Sequence, residues 1–436
     1  RCRHRRRTRR GLNPAGTLTA IKGRLVVGVC VAALLSSCAD LGPSVVRTPV
    51  GQVADSALAG AGPTRCELPP AGADFEMVAP EAVGVDGAAV RATIDELSTP
   101  MTRSLRIYRH GCLIGQSRRD LTSAHEPAPL FSMTKSVVAL AVGRAVTLGA
   151  VGLDSPIGRY LSDLDAAHAA ITVRQLLTQT SGLRFGWVND LLGSTEDSVG
   201  EAMSMPFAHE PGTVFEYAQT TVTTLAFVVE RAVGQDFQAF VSEQLFEPIG
   251  ILPGTWRWSR DGVGHTQGYA WLDLTPADMA RLGSLTLARG EWRGEQLIDA
   301  GYIGEMDDGT AANAGYGFLS QTNIGQWHIG TFGGVRRERR VIASAPPDTL
   351  IFSGFLEQAT YVVPSLDLVV VRFGLPPEAQ WKDHLFRSLL PGIPGAAVFE
   401  GPVPPADPID WDWSQILDIG ALIRRNEAIR TGLPRP

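Results

Sequence analysis

The chain has almost no lysine. Of its 39 lysine and arginine residues, only Lys22, Lys135 and Lys382 are lysines. Arginine keeps its proton inside a protein, whereas a buried lysine can lose it and act as a base. Cysteine is scarce as well, with 5 among 436 residues, and forms no paired Cys-x-x-Cys. There is no Gly-x-Ser-x-Gly, which disfavours an α/β-hydrolase nucleophile turn, no His-Glu-x-x-His and no Walker-type glycine loop. The 8 histidines are scattered. His328, between Trp327 and Ile329, reads as a structural or exposed residue rather than a ligand. No metal and no cofactor are expected. A net charge of −6 carries no global basic balance, so nucleic acid is not an expected partner. The arginine run at 336–340 reads as a solvated loop.

What is present centres on Phe131-Ser132-Met133-Thr134-Lys135-Ser136. Pro129 stands just upstream, where a helix can begin, and an apolar run from Val137 to Val142 follows. At i and i+3 on a helix, Ser132 and Lys135 share one face, so the amine can reach the hydroxyl. In the first turn, free backbone N–H groups and the positive dipole end favour a developing oxyanion.

The termini read differently. An Arg-rich start precedes an apolar segment from Leu25 to Leu35, too short to be a comfortable permanent span. It ends in Leu35-Ser36-Ser37-Cys38, which resembles a bacterial lipobox with Cys38 as the lipidated residue. Residues 1–37 are expected to be a lipoprotein signal peptide and 38–79 a flexible tether rich in Ala, Gly, Pro and Ser. The expected location is the outer face of the cell membrane, with the membrane itself a partner through the lipid. Cys66 and Cys112 remain, as a disulfide or as two buried thiols, and an exported chain favours the bridge. The folded domain is expected over 80–395. The extension 396–436 carries Trp411, Trp413 and Leu417 and reads as a docked helix.

Within the domain, Asp86 to Leu97 has helical spacing, with Val90, Ile94 and Leu97 on one face. Leu105 to Arg109 alternates as a strand, and Cys112 to Gly115 reads as its hairpin partner across His110-Gly111. Thr172 can cap a helix at Val173 to Leu177, which runs into Gln179-Thr180-Ser181-Gly182. Another helix is expected at Val222 to Val233.

Together, Ser132-Met133-Thr134-Lys135, Leu153-Asp154-Ser155-Pro156, Leu176 to Leu183, Phe215-Glu216-Tyr217-Ala218-Gln219 and Ser353-Gly354-Phe355 resemble the serine β-lactamase and penicillin-binding-protein superfamily. The likeness is nearest to its family VIII carboxylesterases and 6-aminohexanoate-dimer hydrolases. It spans roughly residues 80 to 392. It implies an α/β (α+β) fold, with an antiparallel sheet flanked by helices and a mostly helical subdomain from about 140 to 290. It implies Ser132 as nucleophile, Lys135 and Tyr217 as the general-base pair, and Gln219 as a hydrogen-bonding partner of Lys135 or substrate. Gln219 stands where the family often has Asn or Ser. The oxyanion would be met by the backbone N–H groups of Ser132 and Phe355, with Gly354 allowing close approach.

Two departures bear on substrate. Phe352 occupies the place of the Lys or His that helps penicillin-recognising members bind a carboxylate. Glu357 is expected near the cleft, where it would repel an anion. The expected activity is hydrolysis of a small ester or amide through a Ser132 acyl-enzyme. A β-lactamase or DD-peptidase, and a non-catalytic binding module on the same scaffold, are the alternatives.

Overall fold

A computed structural model describes residues 63–185, 196–331 and 334–405. Cys38, the apolar segment and the aromatic tail lie outside the described residues.

The framework is a six-stranded sheet assembled from both ends of the domain. Its strands are β1 (Thr102–Arg109), β2 (Cys112–Gln116), β3 (Gln321–Thr322), β4 (Leu350–Gly354), β5 (Gln358–Val363) and β6 (Leu368–Gly374), in the order β2-β1-β6-β5-β4-β3. Every pairing is antiparallel. Alternation decides which side chains go where. Val369, Val371 and Phe373 of β6 enter the core cluster that also holds Met133 and Val137, while Leu368 and Val370 enter a second cluster with Tyr361 and Trp381. The sheet is therefore covered on both faces.

Five helices do most of the covering or positioning. They are α1 (Gly87–Leu97), α2 (Thr134–Thr147), α3 (Thr220–Val233), α4 (Pro276–Leu287) and α5 (Trp381–Leu389). Asp86 caps α1 by accepting from the Ala88 N–H, and Val90 and Leu97 are buried as their spacing predicts. α5 packs with α1 on the second cluster. α4 lies against β5 and β6, and α2 packs against α3 within the first cluster. A Thr172–Gln175 capping box starts the short helix Val173–Leu177. Helices dominate between residues 140 and 290, where Leu272–Leu274 and Arg257–Trp258 form a small three-stranded sheet with Ala128–Pro129 from just upstream.

Residues 63–79 depart from the expected tether. Cys66 is disulfide-bonded to Cys112. Phe75 is buried edge-on against Tyr108, with ring centroids 4.8 Å apart. The buried Arg281 guanidinium donates to the carbonyls of Pro69, Pro70 and Ala73. Composition suggested a free linker because this stretch has no apolar period. The bonds that fix it come from residues far along the chain.

Candidate active site

Ser132 sits in the turn that opens α2. Leu130 N–H donates to the Leu272 carbonyl at 2.9 Å, and Met133 N–H donates back to the Leu130 carbonyl at 3.2 Å. Between them Phe131 takes a φ of 50°, in the left-handed region that a bulky residue rarely enters. Such an outlier, directly before Ser132, is strain that the surrounding packing maintains.

Lys135 lies one turn on, only 1% exposed. Its Nζ donates to Ser132 Oγ at 3.2 Å, to Gln219 Oε1 at 2.6 Å and to the Tyr269 carbonyl at 3.0 Å. It also lies 4.7 Å from the centre of the Tyr217 ring and 5.7 Å from that of Tyr269. The extra methylene of Gln219 is thus accommodated, and its amide oxygen is directed to the amine. Tyr217 and Gln219 immediately precede α3, so packing of α3 on α2 brings them to Lys135.

The Ser132 side chain acts on the Tyr217 phenol as a hydrogen-bonding neighbour. Burial pushes its phenol up to about 12, against a smaller opposing effect of the Ser132 bond. At neutral pH the phenol therefore holds its proton. The segment is gripped by Gln179, whose carbonyl accepts from Glu216 N–H and whose side-chain oxygen accepts from Ala218 N–H. Those two bonds bracket Tyr217 and give a physical reason for the Gln179-Thr180-Ser181-Gly182 motif. Tyr316 stands edge-on to Tyr217, with ring centroids 6.2 Å apart.

The facing wall is β4 and the turn after it. A Cβ on Gly354 would lie 2.1 Å from the Leu130 carbonyl oxygen and 3.2 Å from the Met133 nitrogen. Only glycine lets this strand touch the turn at Phe131–Met133. Phe355 follows, 59% exposed, its ring edge-on to Phe131 at 5.8 Å between centroids. Phe355 is thereby placed beside Ser132.

Of the two readings of this wall, that of Phe352 stands and that of Glu357 needs correction. Phe352 is fully buried in the core with Met133 and Val137, so its ring packs rather than lining the cleft. Glu357 offers the cleft no unbalanced charge, because its Oε2 pairs with Lys382 Nζ at 2.6 Å and accepts from Trp381 Nε1 at 3.2 Å. His328 is buried and its Nδ1 bonds the Arg339 carbonyl at 2.8 Å, in line with a structural role.

Three contributors were not assigned roles from sequence: the Tyr269 carbonyl, Gln179 and Trp271. Trp271 Nε1 donates to the Tyr269 hydroxyl at 3.0 Å and steadies the residue whose carbonyl holds Lys135. The only signal was position, since Gln179 falls within the Leu176 to Leu183 stretch of the resemblance. Among the described residues, Asp197, Asp261 and His265 form one group of the kind that can hold a metal. The Asp261 carboxylate instead accepts backbone N–H groups of Ser198, Gly264 and His265 and ties a loop.

Comparison with known proteins agrees with this geometry. The Beta-lactamase family profile matches residues 104–371. Esterase EstB of Burkholderia gladioli is 29% identical over 209 residues, covering 39% of this chain and 53% of that protein. Monacolin J acid methylbutanoyltransferase of Aspergillus terreus is 27% identical over 158 residues, covering 30% of this chain and 38% of the relative. These curated relatives are thus matched over about half of their length or less. A β-lactamase/D-alanine carboxypeptidase structure from Pseudomonas syringae superposes with a TM-score of 0.54 at 15% identity, covering 70% of this chain and 97% of its own. The serine–lysine–tyrosine cluster between a helical region and an antiparallel sheet, with the match over 104–371, shows that the chain belongs to the Beta-lactamase family.

Proposed function

We propose that the protein hydrolyses a small ester or amide through an acyl-enzyme on Ser132. The observation that carries the reading is the convergence of Lys135 Nζ and the Tyr217 hydroxyl on Ser132 Oγ, with Gln219 and Tyr269 directing the amine.

In the proposed cycle Lys135 starts as the uncharged amine, its two hydrogens given to Gln219 Oε1 and the Tyr269 carbonyl and its lone pair accepting from the Ser132 hydroxyl. Ser132 Oγ forms a bond to the substrate carbonyl carbon while its proton passes to Nζ. The oxyanion is received by the N–H groups of Ser132 and Phe355; one such donor is worth about 3 kcal/mol in related chemistry. The bond to the leaving group then breaks as Tyr217 gives its proton to the departing oxygen or nitrogen, and Lys135 returns a proton to Tyr217. Water repeats the sequence: it loses a proton through the same pair, adds to the acyl carbon and frees Ser132. A phenol that stays protonated at neutral pH suits this donor role.

Both relatives, an esterase and a methylbutanoyltransferase, are named for acyl transfer, which supports a serine-centred acyl step. Burial of Phe352 leaves that strand position without a cation for a β-lactam carboxylate, which favours an uncharged ester or amide. We extend the proposal to an exported, lipid-anchored protein modified at Cys38. The Cys66–Cys112 disulfide supports an oxidising compartment.

A panel of p-nitrophenyl esters, short amides and nitrocefin tests the reading. Ester or amide turnover with nitrocefin left intact is expected. Nitrocefin hydrolysis as the dominant activity would move the protein to the β-lactamase alternative. No turnover by a folded sample would leave a binding module. Mass analysis of the membrane fraction tests the anchor, and an unmodified N-terminus there would remove it.

A further inference from the structure

The turn after β4 is held in an unfavourable shape. Leu356 and Glu357 have φ values of 60° and 64°. Neither is a glycine, and two consecutive left-handed residues need something outside the turn to keep them there. The holding groups are visible. Glu357 Oε2 meets Lys382 Nζ at 2.6 Å and accepts from Trp381 Nε1 at 3.2 Å. The Glu357 carbonyl accepts from Arg372 Nη1 at 3.3 Å, and the Arg372 guanidinium lies 4.7 Å from the centre of the Trp381 ring. Gln358 Nε2 donates to the Leu356 carbonyl at 3.3 Å.

These holders have no contact role in the chemistry. Trp381 is buried in the cluster with Tyr361 and Phe386, whereas Met133 and α2 belong to the cluster on the other sheet face. Lys382 is, besides Lys135, the only lysine among the described residues. What they grip is the turn that begins with Phe355, directly after the glycine that touches the nucleophile turn.

We propose that Glu357 is a positioning residue: its ion pair with Lys382 and its bond from Trp381 hold the Phe355–Glu357 turn so that the Phe355 N–H faces the oxyanion formed at Ser132. The inference rests on the acyl-enzyme reading above and names what keeps its oxyanion donor in place. If the turn relaxes toward ordinary backbone, the donor rotates away. Substrate binding survives, because a ground-state carbonyl needs that donor less than the oxyanion does.

The test uses Glu357→Gln, which keeps the length and a group for Trp381 but removes the charge, with Lys382→Ala and Lys382→Arg. For each, kcat and KM on p-nitrophenyl acetate, the inhibition constant of an aryl boronic acid and the melting temperature are measured. The boronate forms a tetrahedral adduct that calls on the same donors. Glu357→Gln and Lys382→Ala are expected to lower kcat about tenfold, weaken the boronate to a similar degree and leave KM within about twofold. Lys382→Arg is expected to restore most of kcat. Lower melting temperatures with unchanged kcat and boronate affinity overturn the positioning role. A wild-type protein that neither turns over the ester nor labels at Ser132 overturns the acyl-enzyme reading itself. A wild-type protein that does both, matched by the two variants, overturns only the role of Glu357.

Discussion

The two walls of the site are made of different material. On the helical side, Ser132, Lys135, Tyr217 and Gln219 present side chains, and Lys135 has its contacts drawn from three separate segments. On the sheet side, Gly354 and Phe355 present backbone, and the turn they open carries two left-handed residues. Proton movement needs groups of particular acidity, so the first wall is chemically specific. Binding an oxyanion needs only an N–H in the right place, so the second wall is specific in shape. Damage to the first should therefore remove chemistry while sparing the fold, and damage to the second should disturb geometry.

The largest effect is expected on the side-chain wall. Lys135→Arg keeps a cation but removes a group able to give up its proton, and kcat should fall by roughly 10³-fold or more, read with p-nitrophenyl acetate. Retention of near wild-type kcat would mean that the amine is not the base. Tyr217→Phe keeps the ring beside Lys135 and Tyr316 and removes the hydroxyl bonded to Ser132. A loss of about 10²- to 10⁴-fold is expected, with the melting temperature nearly unchanged. A mainly stability-driven loss would make Tyr217 a core residue.

On the backbone wall, Gly354→Ala places a methyl 2.1 Å from the Leu130 carbonyl oxygen. Strand and nucleophile turn must separate, so kcat should drop by about 10²-fold and the melting temperature should drop too. If only one of the two readouts moves, the contrast between the walls is drawn too sharply.

The last expected effect lies away from both walls and concerns stability alone. Burial raises the Asp307 carboxyl to about 6, with Asp348 and Asp308 adding to the rise and a bond from Thr322 opposing it. The folded state thus binds this proton more tightly than the unfolded chain. Its contribution to stability is full below about pH 4 and is lost as pH rises through about 6. Asp307→Asn should stabilise the protein at pH 8 by at most about 3 kcal/mol and make little difference at pH 4. A stabilisation that does not depend on pH would contradict this account.

The same contrast explains what the sequence could disclose. Ser132 and Lys135 were legible because their chemistry is written in side-chain identity and because lysine is so rare here. The helix from Asp86, the Thr172 cap and the alternation of β1 were legible for the same local reason. The Tyr269 carbonyl was not, since any residue supplies a carbonyl and only the fold chooses which one reaches Lys135. Glu357 was misjudged because sequence position gives no hint that a left-handed turn pairs its carboxylate with Lys382. Residues 63–79 were misjudged because their anchors, Cys112 and Arg281, are remote in sequence.

The most direct measurement is a rapid-quench mass analysis of the protein mixed with p-nitrophenyl acetate. The account predicts a transient gain of one acetyl group, mapped to the peptide containing Ser132 and absent in Ser132→Ala. Turnover with no covalent adduct, or an adduct on another residue, would contradict it.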